Sequence, residues 1–138
     1  MYNSIVKKKE KTIMRTQITS EKCGECHGPY ALGVKMGNMI FTTQIGTDIT
    51  GEMVAGGMKE QTKATMENAK AVLEAAGASM ADVGRVTIYI SDINLIPEMN
   101  EVYKTYFEEG NYPARCCTEC VKMVDGCLVE MEFTAVLA

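Results

Sequence analysis

The stretch CLVEMEFTAVL, residues 127 to 137, constrains the fold more than any other part of the chain. Successive side chains of a strand point to opposite faces, so Val129, Met131, Phe133, Ala135 and Leu137 share one side. Leu128, Glu130, Glu132, Thr134 and Val136 share the other. The first row suits a core covered by helices. The second mixes carboxylates with Leu and Val, a composition unusual for open solvent. A sheet with one face under helices and the other partly in an oligomeric interface accommodates both rows.

The rest of the chain supplies such a sheet. Residues 31 to 35 (ALGVK) and 38 to 43 (NMIFTT) read as short strands joined in a hairpin around Met36-Gly37. The spacing predicts a helix over 59–76, with Met66, Ala69, Leu73 and Ala76 on one face and Gly77 at its C′ position. A β-branched strand follows at 85–91 (RVTIYIS). A second helix is capped by Asp92 or Asn94, carries Pro97 in its first turn and has the apolar stripe Ile96, Met99, Tyr103, Tyr106 and Phe107. That stripe reads as core. Strand candidates at 116–123 and 127–137 flank Val124-Asp125-Gly126. The pattern is ββαβαββ, an α+β chain whose two helices cover one face of the sheet.

Composition sets outer limits. The chain has 138 residues, of which 46% are hydrophobic and 23% charged, as expected for one compact domain. Its net charge of −4 offers no electrostatic footprint for nucleic acid or for an anionic membrane. A small anionic ligand would therefore need a local cation. Residues 1–15 are basic, carry no apolar run of secretory length and are expected to be a flexible extension, with the domain occupying 16–138. A cytoplasmic location is the corresponding expectation.

Six cysteines then need a reading. Cytoplasmic thiols are normally reduced, so Cys23, Cys26, Cys116, Cys117, Cys120 and Cys127 read as small buried hydrophobes or site thiols. CGECH, residues 23–27, has the spacing of c-type haem attachment, which takes place after export. Zinc is the stronger rival, since Cys23, Cys26 and His27 supply three ligands and Cys116, Cys117 or Cys120 a fourth. Cys116, Cys117 and Cys120 do not repeat the Cys-x-x-Cys-His pattern, since Val121 follows Cys120, and the expectation is no metal.

YPARCCTEC, residues 112–120, is the one strongly local chemical constellation. Strand alternation from Arg115 places Arg115 and Cys117 on one face and Cys116 on the other. A guanidinium offers a planar fork for a carboxylate, so Arg115 is a candidate clamp for a small organic acid. An arginine in a surface ion pair is the alternative.

Taken together, GPYALGVKMGNMIF (28–41), EQTKATMENAKAVLEAAG (60–77), ADVGRVTIYISDIN (81–94), MNEVYKTYF (99–107), PARCC (113–117) and LVEME (128–132) closely resemble the RidA/YjgF family of enamine/imine deaminases. The resemblance runs from about Ile18 to the C-terminus. It implies a chorismate-mutase-like fold with a six-stranded mixed sheet, a homotrimer, and three sites in clefts between subunits. It also implies hydrolysis of 2-iminopropanoate and 2-iminobutanoate to 2-keto acids and ammonia with no cofactor. The family's carboxylate-binding arginine falls on Arg115, its site cysteine on Cys117 and its water-associated glutamate on Glu130. Its tyrosine after Gly-Pro falls on Tyr30, its site asparagine on Asn100 and its site serine on Thr43.

These residue types suit an α-imino acid, which needs its carboxylate held, its nitrogen protonated and one water oriented. In the reading that the resemblance implies, Arg115 anchors, Glu130 acts as general base, Tyr30 and Thr43 close the pocket, and Cys117 forms wall and backbone. A non-catalytic carboxylate-binding trimer is the alternative. Ribonuclease or translation-inhibitor activity, as in older family naming, fits poorly with the acidic charge and low aromatic content. Thr43-Gln44 stands where many members read Ser-Gly-Gln, which alters pocket shape. One difficulty concerns distance. A two-residue hairpin at Asp125-Gly126 would set Val121 opposite Glu130 and leave Arg115 roughly 20 Å away. The final strand is therefore expected to insert elsewhere in the sheet; the alternative is that the two residues meet across subunits.

Overall fold

The computed structural model describes residues 12–138. Its elements in chain order are β1 (Arg15–Ile18), β2 (Gly33–Met36), β3 (Met39–Ile45), α1 (Met58–Ala75), β4 (Val83–Ile90), α2 (Ile96–Tyr103), β5 (Ala114–Glu119) and β6 (Val129–Val136). They build one six-stranded sheet in the order β1-β2-β3-β6-β4-β5. β4 and β5 run parallel and all other neighbours antiparallel, so the sheet is mixed. Six strands and two helices are what the resemblance implies. The strand missing from the ββαβαββ pattern is β1, whose RTQI sequence buries only Ile18 and so carries no alternation to read. Its Arg15 pairs with Met36. Of the basic segment 1–15, residues 1–11 lie outside the described residues.

β6 is inserted, as the distance argument expects. It lies between β3 and β4 and does not pair with β5, its predecessor in sequence. Val124–Gly126 forms a single 3₁₀ turn, with Asp125 at φ 52° and Gly126 at φ 66°. β5 ends at Glu119, short of the predicted Met123. The first hairpin also moves by one residue, since Met36 pairs with Met39 and the turn is Gly37-Asn38.

Val129, Met131, Phe133 and Ala135 of β6 are buried beside Val86, Ile88 and Ile90 of β4 and Ile40 of β3. On this face pack Met66, Ala69, Val72 and Leu73 of α1 and Met99 and Tyr103 of α2. The opposite face carries Phe41, Thr43, Glu130, Glu132, Thr134, Thr87 and Tyr89, half-buried or exposed in the single chain. Both helices thus cover one face. Asp92 caps the 3₁₀ turn Ile93–Leu95 that precedes α2, accepting from the Asn94 N–H, and Pro97 sits in the first turn of the helix. α1 closes with a Schellman motif: Ala78 N–H donates to Leu73 O (2.8 Å) and Gly77 N–H to Glu74 O (3.0 Å).

The buried face of α1 is wider than its apolar spacing suggests. Gln61, Thr62, Thr65 and Asn68 are buried along with the apolar residues. Gln61 Oε1 accepts from Leu128 N–H (2.7 Å), just before β6, while Asn68 Nδ2 donates to Ile45 O (3.2 Å) and Thr47 O (2.9 Å), just after Thr43. Two polar side chains therefore fix the helix against the start of β6 and the end of β3. The chain at Gly46 passes so close to α1 that a Cβ there would stand 2.8 Å from Gln61 O and 2.9 Å from Gln61 Cα. Backbone cannot yield as a side chain would. Gly46→Ala is expected to destabilise the protein by about 1–3 kcal/mol, read as a lower urea midpoint with an unchanged m-value.

Among the described residues, no helix is long and apolar enough to cross a membrane.

Candidate active site

Tyr30, Thr43 and Glu130 line one cavity of about 630 Å³, together with Cys23, His27, Asn68 and Asp125. The sheet sets this arrangement. Ile45 of β3 and Tyr89 of β4 flank Glu130, and Glu132 lies opposite Thr43, so these side chains emerge on the face away from the helices. Tyr30 reaches the cavity from the loop before β2. Its ring folds back over Gly28, where a Cβ would meet Tyr30 Cε1 at 2.5 Å.

Glu130 is half-buried, and burial, reinforced by the Glu132 carboxylate, raises its pKa above the ordinary glutamate value. A carboxylate whose charge is disfavoured is a better proton acceptor than a solvated one.

Arg115, Cys117 and Asn100 lie elsewhere. In the parallel β4–β5 pair, Arg115 is opposite Val86 and Cys117 opposite Ile88, both fully buried under the helices. Arg115 and Cys117 therefore project to the helix face at the β5 edge, and Cys116 to the other, as alternation predicts. Arg115 Nη1 donates to Asn100 Oδ1 (2.8 Å), and its Cζ lies 4.8 Å from the Tyr103 ring centroid. Among the described residues, no carboxylate pairs with Arg115, which removes the surface ion-pair alternative there. Asn100 thus holds the arginine, whereas the resemblance implies that it contacts ligand. Burial pushes the Cys117 thiol up, and the opposing pull of Arg115 does not cancel it. A thiol so placed is a poor nucleophile at neutral pH.

Insertion of β6 is thus not enough to join Arg115 with Glu130. The two strands stand two positions apart in the sheet, roughly 10 Å, and the side chains leave opposite faces. One chain thus holds the predicted residues in two separate groups: Tyr30, Thr43 and Glu130 on the open face, and Arg115, Asn100 and Cys117 at the β5 edge.

The Cys-x-x-Cys-His stretch borders the first group. Cys23 Sγ donates to Asn68 O (3.4 Å) and Cys26 Sγ to Tyr30 O (2.8 Å), so the two thiols serve different partners. His27 lines the cavity as well. Among the described residues, no three His, Cys, Asp or Glu side chains are grouped to hold a metal ion. Sequence reasoning missed Gln61 and Asn68 as supports and Tyr103 as the surface beneath Arg115. The readable signal for the first two was polar side chains seven residues apart along the helix face that must be buried.

Comparison with known proteins bears on the family and the fold. The family described as Endoribonuclease L-PSP matches residues 22–137. A RutC family protein of Pyrococcus abyssi is 48% identical over 120 residues, covering 86% of this chain and 94% of that protein. A protein of Salmonella typhimurium named 2-iminobutanoate/2-iminopropanoate deaminase is 34% identical over 126 residues, covering 89% and 98%. The crystal structure of Escherichia coli TdcF with bound serine superposes with a TM-score of 0.83 at 35% identity, covering 89% of this chain and 99% of that one. With its sheet order, its two helices and nearly its whole length accounted for, the chain belongs to the L-PSP family, also known as RidA/YjgF.

Proposed function

We propose that this protein hydrolyses small reactive 2-imino acids, such as 2-iminopropanoate and 2-iminobutanoate, to 2-keto acids and ammonia. The observation that carries the reading is Arg115: a guanidinium with no carboxylate partner among the described residues, steadied by Asn100 and Tyr103 at an open edge. Relatives named as deaminases of such imines, at 34–35% identity, support the substrate class. Bound serine in TdcF supports a small-molecule site in the family.

Because the two groups face opposite ways, the working site forms between copies in a homotrimer, with Arg115 of one copy reaching the Glu130 cavity of the next. The substrate carboxylate pairs with the guanidinium fork, which places the C=N carbon over the cavity. Glu130 takes a proton from water as the oxygen adds to that carbon. The tetrahedral carbinolamine then receives this proton on nitrogen, the C–N bond breaks, ammonia departs, and loss of the hydroxyl proton leaves the 2-keto acid. Tyr30 and Thr43 bound the chamber. No step calls for a covalent bond to Cys117.

The direct test couples a dehydratase that generates 2-aminoacrylate to pyruvate release, with and without this protein. Acceleration is expected; binding of 2-ketobutyrate with no acceleration would establish a carboxylate-binding protein and remove the enzymatic reading. Arg115→Ala is expected to lower kcat/KM by about a hundredfold or more, and Glu130→Gln by about 10²–10⁴. If the site is shared, co-refolding these two inactive variants restores part of the activity, because some interfaces unite an intact arginine with an intact glutamate. No recovery would remove the shared-site reading.

The pH profile gives a further check. A general base must be ionised, so kcat/KM falls as pH drops through the Glu130 pKa. Since that value is raised, the acid limb should lie above the ordinary glutamate range. Glu132→Gln removes one cause of the rise and is expected to move the limb to lower pH.

A further inference from the structure

Asn100 and Tyr103 stand one turn apart on α2 and meet Arg115 from different directions. Asn100 grips an edge nitrogen at 2.8 Å, and Tyr103 offers the flat of its ring, 4.8 Å from Cζ to centroid. The ring is itself fixed. It is 4% exposed and packs on Phe107 (centroids 5.0 Å, interplanar angle 47°), which meets Tyr112 nearly edge-on (6.5 Å, 72°). This aromatic row runs from the helix to the segment that leads into β5, tying the arginine's platform to the arginine's strand.

The Tyr103 hydroxyl is buried and makes no hydrogen bond of good geometry, although the guanidinium lies near enough to act on it. Burial pushes it up to about 12 despite the adjacent Arg115, so the ring is a neutral phenol at working pH. The contact of defined geometry is with the π face, whose quadrupole attracts a guanidinium stacked above it.

We propose that Tyr103 is a positioning residue: its ring face holds the Arg115 guanidinium in the one plane from which its unused N–H groups can take a substrate carboxylate. Asn100 fixes the in-plane rotation and Tyr103 the tilt. With both in place, little side-chain entropy is lost when the acid arrives. The inference rests on the imine-hydrolase reading for its substrate but on the Arg115–Tyr103 geometry for its content.

The test uses the full-length protein and 2-ketobutyrate as probe. Tyr103→Leu is expected to raise both the dissociation constant for 2-ketobutyrate and KM for the imine by about tenfold, with a smaller change in kcat. Tyr103→Phe, which keeps the ring, should recover that loss. Should the leucine variant fold poorly, phenylalanines bearing increasing numbers of fluorines at position 103 preserve shape while draining the π face. Affinity is expected to fall stepwise along that series. A flat series, or a Tyr103→Phe variant as weak as Tyr103→Leu, overturns the proposal, the first by making the ring a core filler and the second by assigning the role to the hydroxyl.

Thermal melts separate this from the functional reading. The fluorinated series should lower the melting temperature progressively when Arg115 is present and level off in the Arg115→Ala background. That coupling is measurable even if the wild-type protein neither binds 2-ketobutyrate nor hydrolyses imines, in which case the functional reading alone fails. Identical slopes in the two backgrounds overturn the platform.

Discussion

The placement of β6 between β3 and β4 is the constraint on which the rest of this structure depends. A final strand paired with its predecessor would have made a local hairpin with β5 at the sheet centre. Insertion instead places β6 centrally and leaves the parallel β5 at an edge, where it can carry an arginine. It also fixes face as well as position. Antiparallel register against Ile45 and Tyr89 turns Glu130 away from the helices, while parallel register against Val86 turns Arg115 toward them. Two groups that the proposed reaction would use together are thereby held apart within a chain, so that proposal requires a second copy.

Glu130 and Arg115 are held by different physics. Glu130 sits where burial and a like charge oppose its ionisation, which raises its basicity at some cost to folding. Arg115 sits where an amide and an aromatic face satisfy it without neutralising it. A carboxylate partner would have satisfied it more completely and left nothing for a ligand.

Much of this layout was legible in the residues. Alternation in β6 gave both faces correctly, the α1 stripe with Gly77 gave that helix and its end to within a residue, and the distance between Arg115 and Glu130 argued against a hairpin. Less was legible where the cause is tertiary. β1 contributes one buried side chain and so leaves no periodic trace. Opposed projection of Arg115 and Glu130 follows from which β4 residue each strand meets, and periodicity within a strand says nothing about partners. Tyr103 read as core because it is core; that one of its faces also supports a cation depends on β5 lying beside α2. The placing of Tyr30, Thr43 and Glu130 around one cavity was suggested by family resemblance, since their separation in sequence carries no such information.

One consequence follows from the paired supports on α1. Gln61 and Asn68 are seven residues apart on a rigid rod, about 10.5 Å along its axis; Asn68 grips the chamber wall at Ile45 and Thr47, and Gln61 grips Leu128, two residues before the wall residue Glu130. The helix acts as a caliper whose opening is set by the pitch of the α-helix and not by the loops. Widening the chamber by shifting backbone would break one of these grips and leave a buried amide or peptide group unpaired. Adaptation to a larger or smaller molecule is therefore channelled into side chains that line the space, leaving its frame at constant gauge.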